Sequence, residues 1–118
     1  MEAPARGAVV LVRFPFSDLS RTKLRPAVVL ANAGRGDFVL CQVTSKPYGD
    51  STAVALSATA FASGSLRATS YARPGKLFTA SSDLITASVG ALTPEALTEI
   101  ADAVVALVRA ETTDKPEQ

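Results

Sequence analysis

Short runs of β-branched and apolar residues, separated by glycine, proline and polar turns, fill the first 90 residues of this chain. Runs of this length predict strands rather than helices. The first run, Ala8 to Phe14, is entered through Gly7 and followed by Pro15, which cannot donate a hydrogen bond to a sheet. Residues 57–68 lack such a pattern, and we expect them to be irregular with one helical turn. Further strands are predicted over residues 26–31, 38–44, 52–56, 69–73, 76–79 and 85–89.

Two connections between these strands differ in kind. Residues 15–24 form a polar loop, and long loops in compact domains often carry function. The segment from Asn32 to Asp37 instead predicts a tight turn, because the glycines at positions 34 and 36 tolerate the positive φ that such turns need.

The hydrophobic period changes near the end of the chain, where a helix is predicted. Thr93 is a suitable N-cap, and Pro94 fits the first helical position. One helical face then carries Leu97, Ile100, Ala101, Val104, Val105 and Val108, which we expect to pack on the sheet. The fold class is therefore mainly β with a C-terminal α-helix, and its short antiparallel strands predict a small, strongly bent barrel.

Length and composition limit the classes of protein that this chain can belong to. Its 118 residues support a single domain, with an ordered core over about residues 7–110 and a polar tail at 112–118. The 47% hydrophobic content excludes a disordered chain. No apolar run reaches the ~20 residues of a membrane helix, and the N-terminus lacks the apolar core of a signal peptide. We therefore expect a cytoplasmic protein with no membrane partner.

The chain contains no histidine and a single cysteine, Cys41. Cys41 lies inside an apolar strand with no histidine to activate it, so we expect a buried core residue rather than a nucleophile. Metal sites in proteins rely mostly on clustered His, Cys and carboxylate ligands, and the sequence shows no such cluster. We therefore expect no metal and no cofactor.

A candidate phosphodiester site that needs no histidine lies at two strand ends. Arg25 opens the predicted second strand, while Thr44 and Ser45 end the third. A guanidinium binds two phosphate oxygens at once, and a nearby hydroxyl can orient a reacting oxygen. Residues 1–83 carry ten Lys or Arg against five Asp or Glu, a balance compatible with a polyanionic partner.

Five segments, in their order and spacing, resemble the PemK/MazF family of bacterial toxins. They are GAVVLVRFPFSDLS (7–20), KLRPAVVL (23–30), VTS (43–45), RPGKLFT (73–79) and GALT (90–93). The resemblance covers residues 7–108. Members of this family are the toxins of type II toxin–antitoxin pairs. The resemblance implies an SH3-like barrel with a C-terminal helix, assembled as a homodimer.

The resemblance also implies an activity and its residues. The expected activity is that of a metal-independent endoribonuclease, which cleaves single-stranded RNA at short sequences and arrests growth. Its products carry 2′,3′-cyclic phosphate and 5′-hydroxyl ends. By residue match, the essential arginine of the family falls on Arg25 and its threonine on Thr44. The expected partner is a cognate antitoxin whose acidic, disordered segment covers the RNA groove.

Candidate RNA contacts lie around this pair, in the loop before Arg25 and on neighbouring strands. Cationic side chains can bind phosphates, and aromatic rings can stack on unpaired bases, although solvation or core packing explains each of them as well. The candidates are Phe16, Ser17, Lys23, Ser45, Tyr71, Arg73 and Lys76. Two other functions remain open: a CcdB-like poison that inhibits gyrase through its C-terminal residues, and an inactive RNA-binding relative.

Overall fold

The structure is a computed structural model that describes residues 3–15 and 22–110. The predicted polar tail at 112–118 lies outside these residues. In chain order the strands are β1 (Ala8–Pro15), β2 (Thr22–Gly34), β3 (Asp37–Thr44), β4 (Val54–Leu56), β5 (Phe61–Gly64), β6 (Ser70–Ser81) and β7 (Ile85–Leu92). Two 3₁₀ turns, Ala58–Ala60 and Ser82–Leu84, precede β5 and β7, and helix α1 (Pro94–Arg109) follows β7.

The seven strands form one antiparallel sheet in the order β4-β6-β3-β2-β1-β7-β5, and the sheet curls into a half-barrel. Alternate residues of β1, β2 and β3 enter two different apolar clusters. Val9 and Val28 belong to a cluster that α1 covers through Ile100. Val10 and Ala27 belong to a second cluster, whose buried members come from strands alone. This architecture confirms the predicted fold class.

Helix α1 begins as the sequence predicts. The Oγ1 atom of Thr93 accepts a hydrogen bond from the Ala96 N–H at 3.1 Å, which satisfies one free donor of the first turn. Ile100 is fully buried, but Val105 and Val108 of the same predicted face are 49% and 72% exposed. The apolar face therefore packs on the sheet mainly through its first half.

Strand β6 is longer than predicted, because Pro74 and Gly75 do not end it. Cys41 pairs with Leu77 while Val43 pairs with Ala72, so residues 73–76 of β6 lie opposite a single residue of β3. A bulge of this kind accommodates a proline, which has no N–H to contribute to the ladder. The two predicted strands at 69–73 and 76–79 are therefore one.

Strand β5 lies within the segment for which the sequence predicts irregular structure. It pairs with β7, and Gly64 lies opposite Gly90. Glycine is required there because φ of Gly64 is +70° and an added Cβ would collide with the carbonyl oxygen of Val89. A short strand in which only Phe61 is large gives no hydrophobic alternation, which explains why the sequence pattern does not reveal it.

Candidate functional site

Arg25 and Thr44 lie in one row across the sheet. The pairing of β2 with β3 matches Ala27 with Gln42 and Val28 with Cys41. The ladder ends at the pair of Ala27 and Gln42; extending its register by two residues would bring Arg25 opposite Thr44, and both residues line one groove. Directly opposed residues have their side chains on the same face, with Cα atoms about 4.5–5.5 Å apart. The two residues predicted to be catalytic are therefore neighbours on one face.

The same row contains one predicted RNA contact and lies beside another. Thr44 pairs with Tyr71 of β6, and Arg25 pairs with Val12 of β1. Tyr71, Thr44, Arg25 and Val12 therefore share a face; we call them the arginine row. Lys23 lies two residues before Arg25, which places its exposed side chain on this face as well.

Arg25 is half-buried, and its Nε atom is shielded from solvent. A cation that is partly removed from water acts more strongly on a nearby anion, because solvent screens the interaction less. Pro26, the next residue, fixes its own φ and gives this strand end a defined backbone path. The local sequence thus presents a guanidinium in a rigid, partly desolvated position.

A groove of about 380 Å³ runs beside the arginine row. Its lining includes three consecutive residues of β2 (24–26) and residues 43–45 at the end of β3, together with Leu66, Arg67 and Ser70. Consecutive residues of a strand place their side chains on opposite faces of the sheet. A groove that touches three consecutive residues must therefore contact backbone as well as side chains, as it does here at the ends of β2 and β3. Ser45 lines this groove next to Thr44.

Arg67 is a candidate phosphate contact that the sequence patterns do not indicate. It is exposed and lines the groove together with Arg25 and Thr44. Arg67 belongs to a segment without hydrophobic periodicity, so no local signal marks it. Its position follows from the pairing of Tyr71 with Thr44, which brings the residues before β6 back to the end of β3.

The hydroxyl of Thr44 shapes the chain that follows it. Thr44 Oγ1 donates to the carbonyl oxygen of Lys46 at 3.2 Å and accepts from the Lys46 N–H at 3.1 Å. A hydroxyl has one donor and two acceptor positions, so one acceptor position stays available to a ligand. Thr44 can therefore hold the following loop and still accept a hydrogen bond from a ribose hydroxyl; to donate to a phosphate oxygen, its hydroxyl would have to release the Lys46 carbonyl.

Arg73, a predicted RNA contact, forms an ion pair. Its Nε atom lies 2.8 Å from Oδ2 of Asp50, and the two side chains are 22% and 14% exposed. Oδ1 of Asp50 accepts from the N–H and the hydroxyl of Thr52, at 2.9 and 2.6 Å. The hydrogen bonds from Thr52, followed by that from Arg73, lower the pKa of Asp50 from 3.8 to about 2. Arg73 thus fixes the loop between β3 and β4 to strand β6.

The remaining predicted residues divide into two groups. Lys76 is exposed within the bulge of β6 and pairs with no residue of the arginine row. Phe16 and Ser17 lie outside the described residues.

At the other end of the sheet, a cavity of about 440 Å³ is lined by Asn32, Phe38 and Asp83 among others, and contains none of the predicted residues.

Cys41 is buried, as the sequence predicts. Burial is the main reason why the pKa of its thiol rises from 9.0 to about 11, and its Sγ atom donates to the carbonyl oxygen of Arg73 at 3.2 Å. A thiol with this pKa is inert near neutral pH.

Over residues 3–15 and 22–110, no three His, Cys, Asp or Glu side chains lie close enough to hold a metal ion. None of the helices described is long and apolar enough to cross a membrane.

Comparisons with known proteins identify one family of toxins. Residues 5–108 match the family model of the PemK-like, MazF-like toxin of type II toxin–antitoxin systems. A search of curated protein sequences found no match.

Three solved structures illustrate the similarity of fold. An endoribonuclease in complex with its cognate antitoxin from a mycobacterial species is 22% identical, with a TM-score of 0.68 over 92% of this chain and 95% of that one. A MazE–MazF structure from Deinococcus radiodurans is 19% identical, with a TM-score of 0.76 over 94% and 100% of the two chains. Mycobacterium tuberculosis toxin MazF-mt6 is 16% identical, with a TM-score of 0.69 over 88% and 98%.

Proposed function

This chain belongs to the PemK-like, MazF-like toxins of type II toxin–antitoxin systems, and we propose that it is an endoribonuclease that cleaves single-stranded RNA at short sequences without a metal ion. The observation that carries the proposal is that Arg25 and Thr44, members of the arginine row, line the same groove. The names of the mycobacterial relatives, which are endoribonucleases, support the same reaction class.

The proposed reaction is an internal transesterification of RNA. The ribose 2′-oxygen attacks the adjacent phosphorus, and the bond from phosphorus to the 5′-oxygen of the next nucleotide breaks. The 2′-hydroxyl loses its proton and the departing 5′-oxygen gains one, so the products are a 2′,3′-cyclic phosphate and a 5′-hydroxyl. Negative charge on the phosphate oxygens rises in the transition state, and that is where an enzyme can act most strongly.

We assign to Arg25 the stabilisation of this negative charge in the transition state. Its planar fork can donate to two phosphate oxygens, and its partial burial strengthens the attraction. A guanidinium holds its proton to a pH above ~12, which makes it a poor general base near neutral pH. Thr44 is assigned the orientation of the 2′-hydroxyl, through the acceptor position that Lys46 leaves available, or of the scissile phosphate, if its hydroxyl turns from the Lys46 carbonyl to donate to a phosphate oxygen.

RNA binding is assigned to the groove and the residues around it. Lys23 and Arg67 supply positive charge for the phosphates on either side of the scissile one, and Tyr71 supplies an aromatic ring in the arginine row. Ser45 can bond to a phosphate or a base edge from the groove. We also propose that the protein is a cytoplasmic homodimer and that an acidic segment of a cognate antitoxin occupies this basic groove.

The decisive experiment compares the wild-type protein with Arg25→Ala on a mixture of single-stranded RNA in the presence of EDTA. We expect the wild type to produce fragments with 5′-hydroxyl ends, and Arg25→Ala to be slower by about a hundred- to a thousandfold, the usual loss for one transition-state donor. Arg25→Lys is the matched control, since it keeps the charge but loses the bidentate fork. Cleavage by Arg25→Ala at the wild-type rate would overturn the assignment.

The same preparation separates the alternatives. Inhibition of gyrase without RNA cleavage would support a protein-targeting poison. RNA binding without cleavage by the wild type would support an inactive relative.

A further inference from the structure

Tyr48 is 77% exposed, which is more than any other large hydrophobic residue in the described part of the chain. It lies in the loop between β3 and β4, four residues after Thr44. An aromatic ring on a protein surface leaves a large apolar area in contact with water. A binding partner that covers the ring would remove this apolar area from water.

The backbone of Tyr48 is held in an unfavourable conformation. Its φ is +56°, in the left-handed region that glycine and asparagine tolerate far better than a bulky residue. The next residue, Gly49, also has a positive φ, +74°. A sequence selected only to make this turn has no need of tyrosine here, and backbone strain of this kind is concentrated at binding sites.

The loop is fixed on both sides of Tyr48. On one side, the Thr44 hydroxyl bonds to the backbone of Lys46. On the other, Asp50 is bound to Arg73 of β6 and to Thr52. Tyr48 is two residues from each of these points, so its Cα lies within about 7 Å of the Cα atoms of both Lys46 and Asp50. The ring is therefore presented from a loop that is held on both sides and begins directly after Thr44.

We propose that Tyr48 is a stacking platform for an unpaired base of the RNA, next to the nucleotide whose phosphate Arg25 and Thr44 hold. This inference rests on the proposed function and adds a binding residue to it. Single-stranded nucleic acids are bound by aromatic faces on which bases stack, combined with cations along the backbone. Lys46, exposed and two residues away, supplies such a cation. A backbone that is already held loses little freedom when the base arrives.

The first test measures cleavage of a single-stranded RNA pool by Tyr48→Ala and Tyr48→Phe. Phenylalanine keeps the ring, so we expect its KM to stay within about twofold of the wild type. Alanine removes the ring, and we expect KM to rise by about 5- to 150-fold, the range measured for loss of one stacked base, with kcat little changed. Val108→Ala is the matched control. Val108 is also strongly exposed, at 72%, but it lies on α1, 60 positions after Tyr48, so this variant should leave KM unchanged.

The second test does not depend on cleavage. The protein has no tryptophan and only two tyrosines, Tyr48 and Tyr71. A mixed-sequence single-stranded DNA lacks the 2′-hydroxyl, so it can bind but cannot be cleaved by this reaction. We expect this DNA to quench the tyrosine fluorescence of the wild type. In Tyr48→Phe, the DNA should still bind, but the part of the quenching that is due to Tyr48 should be lost.

The outcomes distinguish the two proposals. If Tyr48→Ala cleaves RNA with the wild-type KM while Arg25→Ala is inactive, the stacking platform is refuted and the ribonuclease stands. If the wild type does not cleave RNA, the proposed function fails, and the fluorescence titration alone decides on Tyr48. Equal quenching in the wild type and in Tyr48→Phe refutes the platform in either case.

Discussion

The two connections at the ends of β3 contain the same local conformation for different reasons. At one end, the turn between β2 and β3 holds Arg35 at a φ of +58°; at the other, the loop between β3 and β4 holds Tyr48 at +56°. In the turn, Gly34 pairs with Asp37 and leaves Arg35 and Gly36 as a two-residue hairpin. Both have positive φ, as the preferred hairpin turn requires. Geometry alone explains Arg35.

The loop between β3 and β4 is not a hairpin, although Tyr48 and Gly49 are the central residues of a turn in which the Asp50 N–H donates to the carbonyl oxygen of Pro47 at 3.0 Å. Both strands pair with β6 and not with each other, so no hairpin dictates the path of residues 45–53. Their path is held instead by polar contacts of Thr44, Asp50 and Arg73. The end of β3 that carries the candidate site is therefore maintained by an ion pair and side-chain hydrogen bonds in addition to backbone turns, whereas hairpin pairing sets the path at the opposite end. Substitutions should affect function at the first end and stability at the second.

The largest expected difference between the two ends is in catalysis. Thr44→Val removes the hydroxyl from the arginine row while keeping the shape and β-propensity of the residue. We expect kcat for RNA cleavage to fall by about a hundredfold, at the lower end of the loss for a transition-state contact. Thr44→Ser should recover most of it, and Arg35→Ala, at the other end of β3, should leave kcat unchanged. Single-turnover cleavage of labelled RNA measures all three.

A smaller effect is expected from breaking the ion pair that fixes the loop. Asp50→Asn keeps a hydrogen-bond acceptor for Thr52 but removes the charge that holds Arg73. We expect chymotrypsin to cut after Tyr48 about two- to fivefold faster, the range for a partly exposed ion pair. KM for RNA should rise by a similar factor. Asp83→Asn, in the 3₁₀ turn at the opposite end of the sheet, should change neither; an equal effect of both variants would show that the ion pair does not hold the loop.

Acid should break the same contact in the wild type. The pKa of Asp50 is about 2 in the folded protein, below its ordinary value of 3.8. A lowered pKa means that the carboxylate stabilises the loop fully above pH 3.8 and loses this effect as the pH falls towards 2. Pepsin cleavage at Tyr48 should therefore accelerate between pH 4 and pH 2 in the wild type more than in Asp50→Asn. Circular dichroism at each pH checks that the sheet persists.

The sequence predicts the regular parts of this molecule well. Thr93 and Pro94 mark the start of α1 because capping depends on a few adjacent residues. Arg25 and Thr44 are predicted from their positions at two strand ends and from the resemblance to a family, and their roles stay a prediction. Local patterns suffice wherever the interactions that decide the structure are local.

Contacts between distant segments explain what the sequence does not predict. Arg73 and Asp50 are 23 positions apart, and no periodicity connects them, so the sequence does not reveal that the guanidinium of Arg73 holds a loop. Its contact with RNA stays a prediction. Arg67 reaches the groove only because β6 pairs with β3. The strand continues through Pro74 because a bulge forms opposite β3, which depends on the partner strand rather than on the proline. Each of these features is decided by tertiary pairing.

The smallest expected effect separates the two positive-φ residues directly. Replacing a non-glycine residue at such a φ by glycine removes about 1–2 kcal/mol of strain, and the greater freedom of glycine in the unfolded chain offsets about 0.5–1 kcal/mol of that gain. We therefore expect Arg35→Gly and Tyr48→Gly each to raise the free energy of unfolding by up to about 1 kcal/mol, measured by urea denaturation. Arg35→Gly should gain this stability and bind RNA normally, because its conformation serves only the hairpin. Tyr48→Gly should gain stability and lose RNA affinity together. If instead Tyr48→Gly destabilises the fold, the tyrosine is a structural residue, and the two ends of β3 are alike.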